Sequence, residues 1–154
     1  FENARIVLPK VDHDFWTDRG AVPPGGILAR VVDAVAFALV PLRDRIDFLD
    51  GAEPLPGVRA VPTPGHTVGH VSYLFDAGDT SVLTLGDVAH HPLCLRHPDW
   101  KFFGDADPAL GCDTRRRVFD MAASERCLVA AYHFPFPGLV RVVHHATSFD
   151  MEPV

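Results

Sequence analysis

The segment Thr63-Pro64-Gly65-His66-Thr67-Val68-Gly69-His70 constrains this chain more than any other. Pro-Gly makes a tight turn, and the alternating run that follows, Val71-Ser72-Tyr73-Leu74-Phe75, reads as a strand. A histidine fixed in such a turn is aimed by the end of a sheet. Two further hydrophobic runs also end on metal-ligating residue types: Ser81-Val82-Leu83-Thr84-Leu85-Gly86 leads to Asp87, and Cys127-Leu128-Val129-Ala130-Ala131-Tyr132 leads to His133. Strand ends are where one sheet can bring side chains from distant positions onto one ion.

The remaining pattern predicts a mixed α/β domain. Apolar residues Ile27, Leu28, Val31, Val32, Val35, Leu39 and Val40 recur at helical spacing after the breaker Pro23-Pro24-Gly25-Gly26, so a helix is expected from Ile27 to about Leu42, packed on a sheet. Strands are expected at Phe1–Leu8, Ile46–Leu49, Val58–Val61, His70–Phe75 and Ser81–Leu85, with turns such as Leu55-Pro56-Gly57 and Asp76-Ala77-Gly78-Asp79 between them. Val88 to Ala106 shows neither period and is rich in His, Pro and aromatics. Long loops of that kind are often functional, and this one is expected to rim a site. Asp107 as N-cap and Pro108 at the first helical position open a second helix that runs to about Ser124, with Arg115-Arg116-Arg117 on its solvated face. A buried strand Cys127–Ala131 and another at Leu139–Val143 complete the pattern.

With 154 residues, 47% of them hydrophobic, the chain is long enough for one cored domain, or part of one. A net charge of −6 argues against nucleic acid or an anionic membrane as partner, since both select a basic face. No apolar stretch approaches the roughly 20 residues of a membrane-spanning helix. Cys94, Cys112 and Cys127 are odd in number and contain no C-x-x-C pair, so neither a disulfide framework nor a thiolate zinc site is encoded.

Neutral imidazole and carboxylate are preferred ligands of zinc and similar divalent ions, which makes His66, Asp87 and His133 the candidate metal residues. Any one of them alone is more often an ordinary loop residue; the set, with its Pro-Gly frames, points to a metal. His90, His91 and His97 either line the mouth of the site or are solvent-exposed loop histidines, the second being the commoner case, and His144 and His145 are expected on the surface.

Together these motifs resemble the C-terminal half of a metallo-β-lactamase-fold hydrolase, with most in common with the branch of methyl parathion hydrolase and the quorum-quenching lactonases. The resemblance rests on Thr63-Pro64-Gly65-His66-Thr67-x-Gly69-His70, Gly86-Asp87, His97-Pro98-Asp99-Trp100, Asp105-x-Asp107-Pro108, Thr114-Arg115-Arg116-Arg117 and His133-x-Pro135-x-Pro137-Gly138. They follow the family's order over almost the whole chain. The resemblance implies that residues 1–154 form the C-terminal portion of one domain, half of a four-layer α/β/β/α sandwich. It implies that His66 completes the first metal site, that Asp87 bridges two metals and serves catalysis, and that His133 belongs to the second site, with His70 supporting the turn. Two divalent ions per intact site are implied, zinc being expected and manganese, iron and cobalt being compatible with the same ligands. The implied reaction is attack by a metal-bound hydroxide on a small-molecule ester, lactone or phosphotriester. Phe134, Phe136 and Trp100 are candidates for an apolar substrate wall or for plain packing.

One departure bears on function. The family's H-x-H-x-D-H motif, which supplies the other ligands, does not occur in these 154 residues. In the family it lies upstream of a segment like Phe1–Val7, so the expectation is a fragment of a longer hydrolase, inactive alone. The alternative is a non-catalytic truncated or domain-swapped half-domain that binds metal weakly or not at all. Either way, half a sandwich leaves one sheet face uncovered, and a homodimer is expected.

Overall fold

The computed structural model describes residues 3–76 and 78–154, apart from the side chains of Ile27 and Pro153. Phe1 and Glu2 of the expected first strand, and Ala77 of the expected Asp76–Asp79 turn, lie outside the described residues. Two compact units are formed, Phe1–Asp50 and Gly51–Val154.

In the first unit, β1 (Ile6–Leu8) pairs in parallel with β2 (Ile46–Phe48). Between them run α1 (Lys10–Thr17), α2 (Ile27–Leu39) and a 3₁₀ segment, Val40–Arg45, into which Pro41 diverts the end of the expected helix. The expected seat of α2 on a sheet is replaced by α1 as its main partner. Val32 and Ala36 are buried, whereas Leu28, Val31 and Phe37 stay exposed. Helical periodicity tells which face is apolar; it does not tell what will cover it.

The second unit is built on a six-stranded mixed sheet in the order β3 (Val58–Pro62), β4 (Val71–Asp76), β5 (Ser81–Thr84), β6 (Leu128–Ala130), β7 (Leu139–His145), β8 (Ser148–Pro153). All neighbours are antiparallel except β5 and β6, which run parallel. The β5–β6 crossover contains a short helix α3 (Leu93–Arg96) and the long helix α4 (Pro108–Glu125). Asp107 caps α4 as expected, its carboxylate accepting from the Ala109 and Leu110 amides.

One sheet face carries Leu83, Val129, Val140 and Val142, which pack with Val118, Phe119 and Ala122 of α4 and with Phe149 into the core. Phe119 and Phe149 meet edge to face at 5.5 Å. The opposite face, where Tyr73, Thr84, Ala130 and Leu139 stand in register across four strands, is only half-buried or exposed. The sheet thus has one covered and one open side.

Because β3 and β5 both run antiparallel to β4, and β6 parallels β5, the C-terminal ends of β3, β5 and β6 lie at one edge. His66 follows β3, Asp87 follows β5 and His133 follows β6. Chain direction alone therefore delivers the three expected ligands to one end of the sheet, the end at which open α/β sheets bind ligands.

Candidate metal centre

The turn that carries His66 is docked backbone to backbone on the start of α4. The Asp107 and Ala106 amides donate to the carbonyls of Gly65 (2.9 Å) and His66 (3.0 Å), and the Thr114 hydroxyl donates to the Pro64 carbonyl at 2.7 Å. Gly65 has φ +137°, and a Cβ there would lie 2.5 Å from the Gly111 Cα. Only glycine meets both the conformation and the approach.

Asp87 is held from below by a buried hydrogen-bond chain whose direction is determined throughout. The Asp87 amide donates to His70 Nε2 at 3.0 Å, so the His70 proton resides on Nδ1 and is donated to Thr63 Oγ1 at 2.7 Å. Thr63 in turn donates to Ser72 Oγ at 3.3 Å, and Ser72 donates to the Leu85 carbonyl at 3.2 Å. The chain begins and ends on the same short segment, Leu85–Asp87. Gly86 has φ +56°, and a Cβ there would fall 2.6 Å from His70 Nε2, so this turn also requires glycine.

Above that support the ligand-type atoms converge. His133 Nε2 lies 2.8 Å from Asp87 Oδ1, and His66 Nε2 lies 3.6 Å from Asp87 Oδ2. The Tyr132 hydroxyl donates to Asp87 Oδ1 at 3.1 Å. His90 Nε2 stands 3.7 Å from the same oxygen. Behind His66, Asp105 Oδ1 accepts from Nδ1 at 3.1 Å and fixes the ring so that Nε2 faces Asp87. Asp105 is 1% exposed, and Arg115 Nη2 lies 3.9 Å from its second oxygen.

Arg115 is itself 1% exposed and binds the carbonyls of Val88 (2.8 Å), Pro98 (2.9 Å) and Trp100 (2.8 Å). It thereby staples the loop after Asp87 onto α4. The expected solvated Arg115–Arg117 face is corrected here: Arg115 points inward, Arg116 pairs with Asp99 at the surface, and Arg117 donates to the Pro62 carbonyl at 2.5 Å. An unstructured loop needs internal donors for its carbonyls, and a guanidinium supplies several at once.

Burial works to raise the Asp87 carboxyl, but the His133 hydrogen bond, the nearby His66 and the Tyr132 hydroxyl outweigh it and hold it below the ordinary carboxylate range. Burial pushes the His90 imidazole down, with His66 adding to that effect and Asp87 and Asp105 opposing it, which favours the neutral ring. Both ring nitrogens of His90 and Asp105 Oδ2 are buried without a hydrogen-bond partner among the described residues. Two triads have ligand atoms within 4.8 Å of one another, His66–His90–Asp105 and Asp87–His90–His133. Orphaned buried nitrogens beside carboxylates are the donor set of a divalent ion such as zinc, so the residues fit one.

No family model and no curated protein matches the chain. Solved structures do. AidC, a dizinc quorum-quenching lactonase determined with a product, superposes on all of this chain with a TM-score of 0.89 at 25% identity, the match covering 56% of AidC. AbOPH, a hydrolase of the β-lactamase superfamily, gives a TM-score of 0.91 at 25% identity over all of this chain and 56% of AbOPH. The chain has the fold of metallo-β-lactamase superfamily hydrolases. An N-acyl homoserine lactone hydrolase with N-hexanoyl-L-homoserine at its catalytic metal centre matches 88% of this chain and 49% of its own length, at 21% identity and a TM-score of 0.62. The chain spans about half the length of those structures, and its six-stranded mixed sheet with helices matches about half of their metallo-β-lactamase fold.

Within this unit, His66, Asp87 and His133 lie together, and His70 makes supporting hydrogen bonds. His91 and His97 are exposed loop residues, His97 stacking on Trp100 at 4.1 Å. His90 follows the mouth-lining alternative rather than the solvent-exposed one: its side chain is only 15% exposed and stacks on Phe102 at 3.9 Å inside the cluster. His90 lies beyond the 3₁₀ turn Gly86–Val88, with Ala89 extended before it, so no helical spacing marked it in the sequence. Asp105 carried no signal beyond its place in the Asp105-x-Asp107-Pro108 motif. Of the three aromatics, Phe134 is core, whereas Phe136 and Trp100 are exposed.

Proposed function

We propose that residues 51–154 carry the metal-binding part of a hydrolase acting on small-molecule lactones, esters or phosphotriesters, with His66, Asp87 and His133 as ligands. The observation that supports this most is the Asp87 carboxylate, whose two oxygens face different histidines, Oδ2 toward His66 and Oδ1 toward His133. A carboxylate so placed suits a bridge between two ions. A bound divalent ion such as zinc supplies Lewis acidity and an activated nucleophile at neutral pH.

The chain's own residues do the positioning. His70 holds the Asp87 backbone, Asp105 orients His66, and the Tyr132 hydroxyl hydrogen-bonds the Asp87 oxygen shared with His133. The neighbouring lactonases support a lactone as substrate. We attribute full turnover to a site completed by further ligands, expect residues 1–154 alone to be inactive, and propose a homodimer through the open sheet face. A second reading, a half-domain with weak or no metal affinity, follows from the lack of H-x-H-x-D-H within the sequence.

The test is zinc content by mass spectrometry of the purified chain beside a His66→Ala/Asp87→Ala/His133→Ala variant, with hydrolysis of an acyl-homoserine lactone, an aryl ester and a phosphotriester. Zinc bound by the parent and lost from the variant supports the ligand set. Equal zinc in both excludes it, and zinc in neither favours the half-domain.

A further inference from the structure

We infer that His90 is a metal ligand, and that Asp87, His90 and His133 form a three-residue cation site contained wholly within this chain. The inference rests on the reading of Asp87 and His133 as ligands and adds the residue that lets them hold an ion without ligands from elsewhere.

Three observations carry it. First, both nitrogens of a neutral imidazole, one donor and one acceptor, are buried at His90 without partners among the described residues. Burying such groups unpaired is costly, and a bound ion removes the cost for one of them. Second, the separations suit one ion. Asp87 Oδ1 lies 2.8 Å from His133 Nε2 and 3.7 Å from His90 Nε2. Ligands about 2.0–2.1 Å from a tetrahedral zinc stand about 3.3 Å apart, which these two values bracket. Third, the ring is held in place. Phe102 stacks on it at 3.9 Å and 25°, and the loop that carries it is stapled by Arg115 through the Val88 carbonyl, two residues before His90.

The other triad, His66–His90–Asp105, is the weaker candidate. His66 Nδ1 and Asp105 Oδ1 already satisfy each other, and Asp105 is shut away beside Arg115. Asp87 and His133 remain partly open, at 27% and 30% exposure, so an ion can reach them. Two histidines and one carboxylate would be a donor set suited to zinc, cobalt or iron.

The experiment is titration of the metal-stripped chain with Zn(II) by calorimetry and with Co(II) by visible absorption, together with thermal melts with and without zinc. The variants are His90→Phe, His90→Ala, Asp87→Ala and His133→Ala. The parent is expected to bind one ion per chain, and His90→Ala to bind it roughly 100-fold more weakly or worse, beyond the 10- to 100-fold typical of groups that only support a ligand. The Co(II) absorption should change in position and intensity as a nitrogen ligand is lost.

His90→Phe separates a ligand from a structural residue. It should melt at the same or a higher temperature than the parent when metal-free, because two unpaired polar atoms are gone, yet lose the rise in melting temperature on adding zinc. If His90→Phe melts lower when metal-free and keeps the full zinc response, the inference is overturned. If Asp87→Ala and His133→Ala lose the ion while both His90 variants keep it unchanged, His90 alone is excluded and the reading of Asp87 and His133 stands. A parent that binds neither ion, or binds them equally after Asp87→Ala and His133→Ala, removes both.

Discussion

Beneath the candidate metal centre, His70, Thr63 and Ser72 pass hydrogen bonds from the Asp87 amide to the Leu85 carbonyl, and Arg115 binds three loop carbonyls. At the mouth, His90 has two buried nitrogens without partners, and Asp87 sits among three imidazoles. The two layers lie at one end of one sheet, and histidine is common to both. What differs is satisfaction: in the lower layer the hydrogen-bond chain and the Arg115 staple are paired, whereas in the upper the buried His90 nitrogens have no hydrogen-bond partner among the described residues. Paired polar groups fix geometry and unpaired ones mark where a ligand belongs. Substitutions in the lower layer should therefore cost stability with or without metal, and those in the upper layer should cost metal affinity above all.

Arg115 is where that contrast should be largest. Replacing it with leucine leaves the Val88, Pro98 and Trp100 carbonyls unpaired and Asp105 without its cationic neighbour. The expected loss is about 3–5 kcal/mol, the range for breaking a buried charged group away from its partners. Urea denaturation of the metal-free protein measures it. Arg115→Leu with parent stability would show the lower layer to be dispensable and would break the comparison. Next is Gly65→Ala, which places a Cβ 2.5 Å from the Gly111 backbone at a φ of +137°. Conformational strain and overpacking together predict about 2–4 kcal/mol, read by the same denaturation. The His66 turn would lift from α4, so zinc affinity should fall as well.

His70→Ala comes third, at about 1–3 kcal/mol for stranding the Asp87 amide and the Thr63 hydroxyl. Its zinc affinity should fall by roughly 10- to 100-fold, as for a group that supports a ligand without touching the ion. His66 and His70 thus test the boundary between layers from inside one turn. A His70→Ala protein of parent stability that bound no zinc would move His70 into the upper layer.

How much of this was legible in the sequence follows the same division. The turn at Thr63–His70 and the Asp107 cap were readable because Pro, Gly and Asp act through local backbone preferences. Asp87 and His133 were readable as ends of hydrophobic runs. The long loop was identifiable as such, but the burial of Arg115 was not, since an arginine in a run of three on an amphipathic helix looks solvated until the carbonyls of residues 88, 98 and 100 are brought beneath it. The sequence leaves His90 open between the mouth and the solvent for a related reason: it stacks on Phe102, twelve residues away in the same loop, and no period connects them. Strand β8 was missed outright, Ser148–Pro153 being split by acidic Asp150 and Glu152 and closed by a proline. Local chemistry is written in neighbouring residues, and tertiary burial is not.

Arg115 and Arg116 sharpen the contrast last and most gently, by pH. Arg116 pairs with Asp99 at the surface, and that hydrogen bond holds the Asp99 carboxyl below its ordinary value, against a smaller opposing effect of desolvation. A carboxyl whose folded pKa is depressed adds stability at pH values above its unfolded pKa of about 3.9 and loses it as the pH falls through the folded value. Asp99→Asn should therefore be slightly less stable than the parent at pH 7, the gap closing progressively below about pH 4. It should also shrink in high salt, because the pair is exposed. Arg115, by contrast, makes its hydrogen bonds to carbonyls that do not titrate, with Asp105 a more distant neighbour at 3.9 Å, so most of the Arg115→Leu deficit should persist across the same pH range. Denaturation of both variants at pH 7 and pH 3 distinguishes the two. An Asp99→Asn gap that widened in acid would reverse the sign and discard the assignment of Asp99 as a carboxylate stabilised by Arg116.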